Sequence, residues 1–220
     1  NILVDELQNR ISERLGINSE ASLDVGGRGR FHRILKHRSA EGVIKLWLPK
    51  IVQNELISIA TDVERIRERF SETLVSGEEL NSILNEESLL EIANEVISEF
   101  SNWKPLDLHI EDEADDVDIR AGLKTFLLEH TEVYDEITAM KRLHGEPMRE
   151  VIDDKDIYPE KADQSLMCLS TAMANRPLGE IGSILIATRD SDFALVARAI
   201  EERFGFGVIA SSRDLNSWLR

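Results

Sequence analysis

Asp190 and Asp192 stand two positions apart, just past Thr188 and Arg189 at the end of a short apolar run at residues 184–187 and ahead of residues that repeat at helical spacing. Two carboxylates this close oppose each other's ionisation unless a cation stands with them. Hard oxygen donors of this kind select Mg2+ or Mn2+. Asp5, Glu55 and Asp163 occupy comparable places, each at the carboxyl end of a predicted strand or in the first turns of the helix that follows. In a parallel sheet such points converge on one edge. Asp5, Glu55, Asp163, Asp190 and Asp192 are therefore the candidate metal ligands and catalytic acids. Thr188, at the end of the same apolar run, is a candidate to orient a ligating carboxylate or a bound water. Divalent ions held this way activate a water and stabilise the leaving oxygen of a phosphodiester.

Each acid also has a simpler reading. Asp190, Ser191 and Asp192 can cap the helix that follows, because their oxygens accept its free N–H groups. Asp163 can likewise be a helix cap, and Asp5 an ordinary first-turn acid. Glu55 can lie on a solvated helix face, although Val52, Leu56 and Ile59 put it on the apolar side of the pattern, an unusual place for an unpaired carboxylate.

The elements that must position these groups follow from periodicity. Residues 184–187 read as a strand buried on both faces. Phe193, Val196, Ala197 and Ile200 fall on one helical face, Gly205 stops that helix, and residues 206–210 form a second apolar strand. The three make a right-handed parallel strand, helix, strand unit. Residues 2–4 are either a short strand ending at Asp5 or the start of a helix over 2–15. Residues 43–48 read as a strand closed by Pro49, and 51–70 as one long helix with Glu55 near its start. Asp163 lies in the first turn of a helix over 166–174, and a short helix at 214–219 ends the chain. Residues 71–150 are rich in helical pattern and read as an insertion or cap. The expected class is α/β, a single domain over residues 1–220 carrying that helical insertion.

Composition narrows the partners. With 42 Asp and Glu against 26 Lys and Arg, the formal charge is −16, which argues against a surface coated for nucleic acid. One segment runs the other way. Arg28, Arg30, His32, Arg33, Lys36, His37 and Arg38 are basic and follow Gly26 and Gly27, and Arg28, Arg30, Arg33, Lys36 and Arg38 are the candidate phosphate contacts. The acidic run at 111–118 lacks the glycine and glutamate spacing of a calcium loop and reads as solvated surface. A lone cysteine, Cys168, excludes an internal disulfide and a cysteine-rich zinc site. His32 and His37 are five apart, one more than the usual helical metal step. No run is long and apolar enough for a bilayer and no leader pattern opens the chain, so a soluble, cytoplasmic protein is expected.

Several stretches, in order, resemble the PIN-domain ribonucleases. Residues 43–56 look like that family's second strand running into the helix that bears its second acid, here Glu55. Residues 162–166 look like the helix start bearing the third, Asp163. Residues 184–193 are similar to the family's strand followed by a threonine and an acidic turn, and residues 208–219 look like its closing strand and terminal helix. The resemblance covers 1–60 and 160–220, with the helical middle outside it. The family's first strand usually ends in Asp-Thr-Asn. Here either Asp5 is that acid, with Glu6 and Leu7 in place of the other two, or residues 1–4 follow an aspartate missing from this chain. The resemblance implies a three-layer α/β/α fold around a central parallel sheet and Mg2+- or Mn2+-dependent endonuclease action on single-stranded RNA. It also implies a part in a toxin–antitoxin pair or in defence, with an inhibitory protein partner or a homodimer.

Two other readings stand beside it. A Toprim-like nuclease or phosphotransfer domain also places an Asp-x-Asp pair after an apolar strand, but needs a glutamate at the end of its first strand, where only Glu6 is near. A catalytically silent module would instead use the helical middle to bind a protein.

Overall fold

The structure, a computed structural model, describes residues 2–16, 28–70, 81–101, 116–143, 151–152, 155–156, 159–175 and 183–219. They fall into two compact units, Asn1–Lys104 and Pro105–Arg220, and the division lies inside the stretch that periodicity assigns to an insertion.

The described part of the first unit is helical. Its elements are α1 (Ile2–Arg14), α2 (Arg28–Ala40), α3 (Lys50–Thr61), α4 (Val63–Phe70) and α5 (Glu86–Phe100). The stripe Leu89, Ile92, Ala93, Val96 and Phe100 gives α5 one apolar face at helical spacing, and all five are buried. Asn85 starts the helix by accepting the Ser88 N–H at 2.9 Å. That face meets Leu7 and Ile11 of α1 and Leu56 and Ala60 of α3 in one core.

Three local expectations change here. Residues 2–4 belong to α1, so the helical alternative holds and Asp5 sits in a first helical turn rather than at a strand end. Residues 43–48 form no strand. Gly42 adopts φ +73° after α2, and the N–H groups of Val43 and Ile44 turn back to the Arg38 carbonyl, while Leu48 O accepts from the Gln53 side chain at 2.6 Å. Backbone groups held this way are spent on helix ends and leave no ladder to build. The long helix expected over 51–70 breaks at Asp62, whose carboxylate accepts the Arg65 N–H and so starts α4 as a new helix.

The second unit contains α6 (Val117–Glu129), α7 (Thr131–Leu143), β1 (Val151–Ile152), β2 (Lys155–Asp156), α8 (Lys161–Ala174), β3 (Leu185–Ala187), α9 (Ser191–Ala194), α10 (Ala197–Phe204), β4 (Gly207–Ile209) and α11 (Ser212–Trp218). β1 and β2 are antiparallel. β3 and β4 are parallel, with Leu185, Ile186 and Ala187 opposite Gly207, Val208 and Ile209. The expected strand, helix, strand unit is therefore present, although its helix is divided in two at Leu195 and Val196. Gly205 closes α10 with φ +74°, a conformation that costs glycine little. A rank of rings, Phe126, Phe204 and Phe206, links α6 to this unit at centroid separations of 5.1 and 6.1 Å.

The described residues are mostly helical, and strand pairing among them is confined to these two small sheets. No helix among them is long and apolar enough to cross a membrane.

Candidate functional site

The polar residues that follow β3 are fixed by the strand itself. Thr188 continues the ladder by donating its N–H to Ile209 O at 3.0 Å, which buries its side chain. Thr188 Oγ1 then accepts the Asp190 N–H at 3.1 Å, turning the chain out of the sheet. Asp190 caps α9 by accepting the Asp192 N–H at 3.2 Å. The capping reading of Asp190 is thus correct as far as it goes. It does not account for Asp192, which is 0% exposed.

Lys141, in the last turn of α7, supplies the countercharge. Its ammonium lies 2.8 Å from Asp192 Oδ1 and 3.1 Å from Asp190 Oδ1, so one cation spans both carboxylates. Asp192 Oδ2 is buried with no hydrogen-bond partner among the described residues. Tyr134, two turns earlier on α7, donates its hydroxyl to the Asp192 carbonyl at 3.3 Å. Asp163 lies partly buried in the first turn of α8. Burial, Asp192 and Asp163 together hold the Tyr134 hydroxyl well above its ordinary range, which places Asp163 within electrostatic reach of Tyr134.

Ionisation divides the two acids. Burial and the adjacent Asp190 push Asp192 up to about 6, against the opposing pull of Lys141. Asp190 is also penalised by burial, but Lys141 and the Asp192 N–H outweigh that and hold it below the usual carboxylate range. For Lys141 the burial penalty is outweighed by Asp192 and then Asp190, so its ammonium stays charged. One acid that ionises readily beside another that resists is the expected result of like charges sharing one cation.

The candidate acids therefore separate by unit. Asp163, Asp190, Asp192 and Thr188 lie in the second. Asp5, in the first turn of α1, and Glu55, half-buried in the middle of α3, lie in the first. Within either unit, among the described residues, no three His, Cys, Asp or Glu side chains come together as a metal-holding group. The Asp190 and Asp192 pair still suits a hard divalent ion. Mg2+ is commonly held by one or two protein carboxylates, with waters and substrate phosphate completing its shell, and a buried carboxylate oxygen lacking a partner is the kind of donor that such an ion takes.

Sequence reasoning passed over Lys141 and Tyr134, because both lie in the helical middle. A signal was there. Tyr134, Ile137 and Lys141 are spaced by three and four, which continues an apolar stripe into a lysine. Periodicity favoured Met140 as the inward residue, yet Met140 is 41% exposed and Lys141 turns in.

The basic segment folds as α2. Lys36 pairs with Glu6 at 3.6 Å and with Glu99, and Arg38 pairs with Glu41 at 3.1 Å. Arg33 also has an interaction partner, and the side chains of Arg28 and Arg30 lie outside the described residues. Glu6 is 5% exposed inside α1 and is clasped by His32 Nε2 at 2.7 Å and Arg10 Nε at 3.2 Å, so it does not stand at a strand end as a Toprim-like site would require. Compared with protein-family models, with curated proteins and with solved structures, the chain matches none.

Proposed function

We propose that this chain is a metal-dependent endonuclease that hydrolyses phosphodiester bonds of single-stranded RNA, built on a PIN-like three-layer α/β/α plan, a reading that the parallel pairing of β3 and β4 supports. The observation that carries the reading is the pair of half-buried Asp190 and fully buried Asp192 at the carboxyl end of β3, gathered on one cation position, with an Asp192 oxygen left unpartnered. Ligands of open parallel sheets collect at such strand ends.

In this reading Asp190 and Asp192 hold Mg2+ or Mn2+, and Asp163 contributes negative charge nearby. The bound ion supplies Lewis-acid polarisation of phosphoryl oxygen and a water of lowered pKa. Thr188 fixes the turn that aims Asp190, through the 3.1 Å bond from the Asp190 N–H. A function as the toxin of a toxin–antitoxin pair, restrained by a protein partner, fits the resemblance to PIN-domain ribonucleases.

The test is cleavage of end-labelled single-stranded RNA and DNA oligonucleotides by the full chain in Mn2+, in Mg2+ and in chelator. Metal-dependent endonucleolytic products from RNA support the reading. An unchanged substrate in both metals across a range of sequences makes the chain a silent binding module instead.

A further inference from the structure

We propose that Lys141 is a built-in competitor for the metal position, an ammonium that occupies the point between Asp190 and Asp192 and must withdraw before a divalent cation can bridge them. The inference rests on the metal-dependent reading above and concerns how that site is regulated. Its basis is geometric. Lys141 Nζ contacts the Oδ1 atoms of both carboxylates, at 3.1 and 2.8 Å, which is where a single ion shared by the two would sit. A divalent ion taking the same two oxygens would crowd Nζ, and charges of like sign that close repel. One position therefore has two mutually exclusive occupants.

The lysine is also placed to leave. It stands in the last turn of α7, two residues before the helix ends at Leu143, and its side chain retains 12% exposure although Asp192 has none. Rotating a long, flexible side chain outward leaves the carboxylates where β3 and the Asp190 cap hold them. The metal-free protein then keeps its paired acids countercharged without an ion, and the ion binds only as tightly as its affinity exceeds that of the ammonium. Agents that draw Lys141 away, such as the phosphates of a bound nucleic acid, would raise metal affinity by the same factor that metal raises theirs.

The experiment is calorimetric titration of the full chain with Mn2+ alone, together with the Mn2+-induced rise in melting temperature, for wild type, Lys141→Gln, Lys141→Arg and Lys141→Gln combined with Asp192→Asn. The proposal expects Lys141→Gln to bind Mn2+ at least about tenfold more tightly than wild type and to gain more thermal stability from it. Lys141→Arg should show no such gain, and the added Asp192→Asn should remove it. Should Lys141→Gln fail to fold without metal, Lys141→Met carries the same comparison. If the neutral variants bind Mn2+ no more tightly than wild type while all binding still depends on Asp192, the competition is refuted and the metal site stands. If neither wild type nor the neutral variants bind Mn2+ in a saturable, Asp192-dependent way, the metal reading falls and takes the competition with it.

Discussion

The Lys141 ammonium and the Asp192 carboxylate meet at 2.8 Å, with the aspartate wholly out of solvent, so each depends on the other for its countercharge. A buried ion pair adds little over a well-packed apolar replacement, but removing one partner strands the other. Lys141→Ala at pH 8 should therefore cost roughly 3–5 kcal/mol. Lys141→Ala combined with Asp192→Asn should cost distinctly less than the two single changes summed. Urea unfolding of the full chain, followed through a second-unit signal, measures both. Additive losses would mean that the two groups do not depend on each other.

Asp192 also gives the second unit a pH signature. Its pKa is raised from 3.8 to about 6 in the folded state, so the folded form holds a proton that the unfolded form has released. The stability this contributes is fully present below about pH 4 and is lost as pH rises through 6. Asp190, shifted the other way, contributes stability that is present above its ordinary pKa and lost on acidification. Asp192→Asn should abolish the loss between about pH 4 and 6 while leaving the acid-side loss in place. Melting temperatures across pH 3–8 test this, and an unchanged profile in the variant would contradict it.

In the first unit the sign reverses. Burial of Glu6 opposes its ionisation, but His32, Lys36 and Arg10 overcome that and bring it down from 4.5 to about 2. Its contribution, on the order of 3 kcal/mol, is present above pH 4.5 and lost as pH falls towards 2. Glu6→Gln should weaken the unit at pH 7 and flatten its acid limb. Arg14 pairs with Glu91 and Glu95 on exposed surface, so Arg14→Ala should cost under about 1 kcal/mol.

Gly207 tests the parallel pair that carries the site. A Cβ there would run into the Trp218 ring and come within 2.7 Å of Leu185 Cδ2. Gly207→Ala should destabilise by roughly 1–3 kcal/mol through overpacking. A loss of Mn2+ binding in the same variant would show that the position of β3 against β4 sets the acid turn.

How far the sequence could be read follows from what each residue answers to. β3 and β4 were legible from their apolar runs and from the Gly205 stop between them, but burial of β3 on both faces was not borne out, since Ile186 is buried while Leu185 is half-buried and Ala187 exposed. The acidic turn after β3 was legible as well, since its residues act on neighbours two positions away. Residues 43–48 were misread because apolar character signals burial but not a partner strand, and the N–H groups of Val43 and Ile44 turn back to the end of α2. Lys141 is far from Asp190 along the chain. Only tertiary packing brings them together, and a lysine on a helix ordinarily faces water. Asp5 and Glu55 showed the right residue type, but type and spacing do not report which unit of a chain a carboxylate joins.

The central claim is that Asp190 and Asp192 form a cation-dependent phosphodiesterase site. Its most direct test is the rate of Mn2+-dependent cleavage of single-stranded RNA by wild type and by Asp190→Asn, with folding checked by circular dichroism. The account predicts cleavage by the wild type and a loss of about 100-fold or more in the folded variant. Cleavage by folded Asp190→Asn at the wild-type rate would contradict it.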